Sequence, residues 1–288
     1  MEFARMRFPR FTLLSLTFAA AALAGCGKDG AVTEVRPPLA GVRYIHAVPD
    51  TGRLDFKMVD QLEYSANTVE GSGGLTFRTG SRYYPTEAKA RKIKVFSFQD
   101  SAVTTVQQVL TDTTITFEAN KNYTLLYVGS ARGTGAAKAR FVVIEDTPPA
   151  SDATNIHYRF FNASDAPISG YVGATAAVSG TPTVASVAAR TASAYTARPA
   201  GALGFGVSAV GSTTSLGTMA AAAGAAGTAT INPQAGATVP GTAFSVYAFP
   251  GAVAGSGAVR GLSAANATAL QAPAINIFVD RLPPNTVQ

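Results

Sequence analysis

The stretch VRYIHAVPDTGRLDFKM, residues 42–58, has a second version in HYRFFNASDAPISGYVG, residues 157–173. His46-Ala47 lines up with Asn162-Ala163, Asp50 with Asp165, and Phe56 with Tyr171. Three more blocks follow in the same order. Tyr84 precedes RKIKVFSF as Tyr195 precedes ALGFGVSAV; NYTLLYVG (122–129) matches AFSVYAFPG (243–251); VVIEDTPP (142–149) matches IFVDRLPP (277–284). A repeat of this kind decides the organisation of the chain before any single element does. Spacing grows in the second copy, where Ala/Gly-rich insertions separate the blocks.

Each block reads as a strand. In TTITFEA, Ile115 and Phe117 fall on one face and Thr114, Thr116 and Glu118 on the other, a period of two. YTLLYV is a nearly continuous apolar run, the pattern of a strand buried on both faces. EANKN and NASDAP supply turn residues between runs. The stretch 219–226, MAAAAGAA, reads as an irregular loop, and no helical period stands out beyond the first 25 residues. Several short strands per ~100 residues predict small β-sandwiches, immunoglobulin-like or transthyretin-like. The expected fold is therefore all-β: two tandem sandwiches, 41–150 and 151–288.

Charged residues are 14% of the chain, against roughly 25% in an average soluble protein. Ala, Gly, Thr and Ser fill the difference, which suits short strands and many turns. The net charge is +6; without Glu2, Arg5, Arg7 and Arg10 an excess of four bases remains. No dense basic stripe with interleaved aromatics occurs, so nucleic acid is not an expected partner.

The N-terminus has its own signature. MEFARMRFPR is basic, and residues 11–25, FTLLSLTFAAAALAG, carry no charge. That run is shorter than the roughly 20 residues of a spanning helix and fits a secretory signal. Its end, Leu23-Ala24-Gly25-Cys26, resembles the lipobox of bacterial lipoproteins. The resemblance implies a signal peptide over 1–25, acylation of Cys26 (palmitate or a similar chain) and anchorage to a membrane. It also accounts for the single cysteine. Gly27, where an Asp would retain a lipoprotein at the inner membrane, implies the outer membrane of the cell envelope as destination. Residues 26–40, with Pro37-Pro38, read as a tether.

No chemistry emerges from the candidate residues. His46 aligns with Asn162, so the repeat accepts an amide there; His46 and His157 read as structural. G-x-S-x-G is absent. The acids of the second half are Asp152, Asp165 and Asp280, which read as solvated strand ends and caps. Glu145 and Asp146 are strand neighbours and point to opposite faces. Gly204-Phe205-Gly206 lacks a following helix, and Gly133-Thr134-Gly135 before Lys138 lacks phosphate-loop spacing. The expectation is no catalytic residue, no metal and no cofactor.

One charge cluster offers a site. Arg78, Arg82, Lys89, Arg91, Lys92 and Lys94 lie within 78–94 against Glu87 alone, around Tyr83 and Tyr84. Two readings are open. It is an anion-binding face for an anionic glycan or lipid head group, or it is an edge strand guarded by lysines, with Ile93 and Val95 facing the core.

The motif R-x-x-[HN]-A-x-P-D-[AT]-x-x-[VL]-D-[VF], here Arg43 to Phe56, resembles the domain DUF4397. So do Ala119 to Leu125, and Phe278 to Pro283. The resemblance implies tandem β-sandwiches on an exported bacterial protein and no defined activity. The functional expectation is a lipid-anchored, non-enzymatic cell-envelope module for binding or adhesion, with an anionic glycan, a lipid head group or an envelope protein as partner. The alternative is a structural spacer or assembly subunit that pairs through strand edges.

Overall fold

The structure, a computed structural model, describes residues 37–60, 74–97 and 108–285. Cys26, the leader and nearly all of the tether lie outside the described residues. From Pro38 onward the chain forms one compact unit.

The first sandwich comprises β1 (Leu39–His46), β2 (Leu54–Met58), β3 (Tyr84–Glu87), β4 (Ala90–Ser97), β5 (Val109–Thr116), β6 (Asn122–Val128) and β7 (Arg140–Asp146). Its sheets are ordered β3-β1-β6-β7 and β2-β4-β5. The second comprises β8 (Asn155–Asn162), β9 (Ile168–Gly173), β10 (Val184–Val187), β11 (Thr196–Pro199), β12 (Gly204–Ala209), β13 (Ser215–Ala220), β14 (Ala243–Phe249) and β15 (Ala274–Arg281). Its sheets are ordered β11-β8-β14-β15 and β10-β9-β12-β13. The order is the same in both, apart from the added edge strand β10. The expected all-β sandwich architecture is thus what the chain adopts.

Alternation along the central strands explains the continuous apolar runs. Val42 and Tyr44 of β1 and Tyr123, Leu125 and Tyr127 of β6 point into the first core, with Leu54, Phe56, Ile93 and Val95. Tyr158 and Phe160 of β8 and Phe244 and Val246 of β14 point into the second core, with Ile168, Phe205 and Val207. The residues between them do not face solvent. Ile45, Leu126 and Val128 meet Phe161, Tyr247 and Phe249 in a third buried cluster. The sheets β3-β1-β6-β7 and β11-β8-β14-β15 therefore pack face to face, and the molecule has four sheet layers. β1, β6, β8 and β14 are inner strands covered on both sides.

β1 pairs in parallel with β6, and β8 with β14. Val253, just past β14, donates to the carbonyl of Pro49, just past β1 (2.9 Å). The four inner strands thus end together. The chain enters at Leu39 at one end, where the linker 147–154 also lies. The connections 47–53, 129–139, 163–167 and 250–273 gather at the other, the loop end.

Three alignments made on sequence are off by one residue. Phe56 lies opposite Val95 and faces the core; the second-copy residue in that place is Gly170, opposite Val207, not Tyr171. A Cβ on Gly170 would stand 2.7 Å from the Phe160 ring, so the glycine makes room for that ring. Tyr83, not Tyr84, is the counterpart of Tyr195, because Val42 pairs with Tyr84 where Tyr158 pairs with Thr196. An irregularity between Ala243 and Phe244 shifts the Pro-Pro anchor, so that Asp146 corresponds to Asp280. A helix that the sequence did not announce, α1 (Ala264–Gln271), is capped by the Ser263 side chain, which accepts from Asn266 N. It was illegible because only Ala267 and Leu270 turn toward the protein, too few to print a period.

Gly170→Ala should cost about 1–3 kcal/mol through overpacking against Phe160, read as a lowered thermal midpoint. An unchanged midpoint would show that the ring has room to move.

Candidate functional site at the junction and the loop end

The face-to-face contact carries charge as well as apolar area. On β1, Arg43 turns toward the second sandwich. Its Nη2 meets Asp280 of β15, its Nε donates to Thr124 Oγ1 at 2.6 Å, and Nη1 donates to the carbonyl of Val279 at 2.9 Å. Arg159 on β8 does the converse: its Nη2 meets Asp146 of β7, and its Nε donates to Ser245 Oγ at 2.7 Å. Thr124 donates to Asp146 and Ser245 to Asp280. Tyr83 donates to Asp146 and Tyr195 to Asp280, each at 2.7 Å. The guanidinium carbons stand 4.7 Å (Arg43–Tyr83) and 4.5 Å (Arg159–Tyr195) from those rings. Each copy contributes the same four groups, and each arginine reaches the aspartate of the other copy.

Both aspartate side chains have no solvent exposure. Burial pulls the two guanidinium groups down, but the facing aspartates and phenols more than offset it and hold both above their ordinary value. Burial raises Tyr83 and Tyr195 far above the usual phenol range, so both remain donors at any physiological pH. Tyr247 in the same layer is pushed up to about 12, chiefly by burial. Such a set can fix one geometry. It offers no reacting group, because its charges are paired and no solvent reaches the carboxylates.

The loop end is tied down separately. His46, fully buried, accepts from Val48 N at Nδ1 (3.2 Å), so Nε2 carries the hydrogen and contacts the Gly52 carbonyl at 2.9 Å. Asn162 closes the matching turn: its amide donates to Ala166 O, and its oxygen accepts from Ser164 N. Burial lowers His46 to about 4. Asp50 accepts from Ala131 N at 2.8 Å, Arg132 N at 3.1 Å and the Ser130 hydroxyl, which fastens loop 129–139 to the β1–β2 turn. Its counterpart Asp165 instead pairs with Arg190 at 2.6 Å, exposed.

Arg78 clamps the two copies at this end. Its backbone is left-handed (φ 68°). Its Nη2 donates to the carbonyls of Pro250 (2.7 Å), Leu270 (2.9 Å) and Ala272, the last two at the C-terminus of α1. A cation on the carbonyls at a helix C-terminus sits at the favourable end of the helix dipole. Phe77 packs on Ala252 and Val259 beside it.

The basic cluster expected over 78–94 does not form one face. Arg78 is taken up by the clamp. Arg91 has no exposure and lies 3.2 Å from Asp60. Lys92 and Lys94 share Asp112, at 3.5 and 3.3 Å, and Lys89 meets Glu87. Arg82 lies over Tyr84. The other reading also needs correction: Ile93 and Val95 do face the core, but β4 is the central strand of its sheet, not an edge. Asp146 and Asp280 are buried partners rather than solvated ends, while Glu145 points out to Lys121 at 3.0 Å, as alternation requires. Gly204 and Gly206 of β12 lie under the backbone of 175–177, which leaves no space for a side chain there.

A shallow depression of about 340 Å³ sits beside Gly41 at the chain-entry end, lined by Tyr83, Tyr84, Asn120 and Asn122. Among the described residues no group of three His, Cys, Asp or Glu is placed to hold a metal, and no helix is long and apolar enough to cross a membrane. The sequence reading did not join these residues into one set, although a signal existed: the arginine three residues before His46 and Asn162, paired with an aspartate at the end of each final strand.

Residues 40–168 match the family described as "Domain of unknown function (DUF4397)". The matched segment covers the first sandwich and continues through β8 of the second. No curated protein matches the chain.

Asp280→Asn should cost about 3–5 kcal/mol, since it leaves Arg43 and Arg159 with Asp146 as the one carboxylate between them in a dry layer. Calorimetry should show the single transition splitting as the sandwiches uncouple, and pairing with Arg43→Met should recover part of the loss. For His46 the folded value lies below the ordinary 6.5, so the unfolded chain binds the proton first. The stability this group supplies is full above pH ~6.5 and is lost as pH falls toward ~4, by about 3 kcal/mol at the limit. Denaturant titrations at several pH values should show this slope, and His46→Asn should flatten it while keeping the turn.

Proposed function

We propose that this chain is a lipid-anchored envelope protein whose two sandwiches act together as a non-enzymatic binding module. The observation that carries this reading is the polarity of the block. Connections from both copies collect at the end away from Leu39, where the tether arrives. Loops on a rigid scaffold are the usual place for recognition. A spacer gains reach by stacking domains end to end, whereas here two sandwiches lie side by side and give the reach of one. The lipobox at Cys26, a second DUF4397-like unit in the second sandwich, and residence at the outer membrane belong to the same proposal, resting on the sequence signals and the shared strand order.

An assembly subunit is the competing reading, and β7 favours it. Among the described residues β7 pairs with β6 alone, and Val143 on it is 45% exposed. An unguarded apolar edge can accept another strand.

Mass spectrometry of the protein from membranes should give residues 26–288 plus acyl chains, and Cys26→Ala should release a soluble product; an unacylated soluble wild type would remove the anchor from the proposal. Sedimentation in detergent should show a monomer. Concentration-dependent oligomers that dissolve on Val143→Lys would move the reading to assembly.

A further inference from the structure

The charges of the block are distributed unevenly. On the outer sheet and at the chain-entry end, Lys89, Lys92, Lys94 and Lys121 each have a carboxylate within 4 Å. At the loop end the balance differs. Arg132, Lys138 and Arg140 stand exposed in and beside the connection 129–139, and Arg260 stands exposed in the connection 250–273. Among the described residues none of these four has a carboxylate within 4 Å. The two loops that bear them are fastened to the same turn. Asp50 holds Ala131 and Arg132, while Pro49 receives Val253 N and Gly52 lies against Gly257.

The two acids nearby offset only part of this field. Asp50 is turned inward and accepts three hydrogen bonds from loop 129–139. Asp165 is exposed but already paired with Arg190. The cations thus come from both sandwiches and are held in fixed relation by the β1–β2 turn and the Arg78 clamp. A rigid, multivalent cationic surface selects polyanions over single small anions. Its position bears on which polyanion. The first strand begins at Leu39, at the opposite end of the block, and an anchor preceding it on that side would leave these residues free for a polymer rather than a bilayer.

We propose that the loop end, through Arg132, Lys138, Arg140 and Arg260, binds an acidic polysaccharide lying beyond the anchoring membrane. This rests on the binding-module reading and gives that module a ligand class. Carboxylate groups repeated along a flexible chain can meet four cations on two loops, while the anchor leaves the surface free.

The test uses the full chain in detergent with polygalacturonate as probe. Wild type should bind at about 20 mM salt and lose about tenfold or more in affinity by about 200 mM, as screening shortens the field. A variant carrying Arg132→Glu, Lys138→Glu and Arg260→Glu should bind at least about tenfold more weakly at an unchanged thermal midpoint, while Lys92→Glu with Lys94→Glu should change binding less than about twofold. Should the triple variant unfold, Arg132→Gln with Arg260→Gln serves with the same expectation of lost binding. No binding by wild type at low salt overturns the inference, as does an equal loss in the Lys92/Lys94 variant, which would report net charge alone. Binding to phosphatidylglycerol vesicles but not to the polyuronate also overturns it. Retention on isolated cell envelopes separates the two levels: salt-insensitive retention that survives the triple substitution leaves the module and removes the polysaccharide, and no retention of wild type removes both.

Discussion

The crossed pairs Arg43–Asp280 and Arg159–Asp146 are the constraint on which the rest of the molecule depends. Either pair alone would be an ordinary buried ion pair, whose desolvation can cancel its attraction. Here each carboxylate also accepts from a hydroxyl on the neighbouring inner strand and from a tyrosine at the start of the edge strand, so its lone pairs are filled. The arrangement is strict in geometry even where its net stabilisation is modest. Sliding one sheet over the other by two residues would put Ile45 or Phe161 where a guanidinium belongs and strand two charges in a dry layer. Apolar contacts among Leu126, Phe161, Tyr247 and Phe249 supply attraction without direction; the ion pairs supply the register.

The two copies have diverged around that junction. In the first, Phe56 of β2 stacks on Tyr44, with ring centres 5.1 Å apart. In the second, Gly170 vacates the equivalent place and Phe160 turns into it, with Phe205 edge-on at 5.9 Å. The same volume is filled from different strands. The loops diverged further. The β6–β7 connection of the first copy stays on its own sandwich through Asp50, while the β14–β15 connection of the second reaches across to Phe77, Arg78 and Pro49. A pseudo-symmetric pair of sheets thereby acquires one asymmetric clamp, and with it a loop end that is a single surface built from both halves.

Much of this was legible in the order of the residues. Period-two alternation in TTITFEA, the apolar runs YTLLYV and AFSVYAF, and the repeated blocks were enough for an all-β pair of sandwiches. Burial of a strand on both faces was also readable, because only an inner strand can afford no polar side. The candidate site was less legible. Six cations close in sequence suggested one face. On a strand, however, neighbours diverge to opposite sides, so Arg91 went to the core while Lys92 went to Asp112, and Arg78 left for the other sandwich altogether. Helix α1 left no trace because its inward side is two residues wide.

The sequence by itself determined the strands, their faces and the doubling of the fold, since these follow from local alternation and from turn residues that act within a few positions. It also placed an arginine three residues before His46 and before Asn162. Only the tertiary structure decided that each arginine serves the other copy's aspartate, that Tyr83 rather than Tyr84 completes the set, and that the loops 129–139 and 250–273 fasten to the same β1–β2 turn although more than a hundred residues separate them. Those facts depend on how two sheets meet face to face. That meeting is set by the summed fit of side chains distant in sequence, which no local pattern encodes.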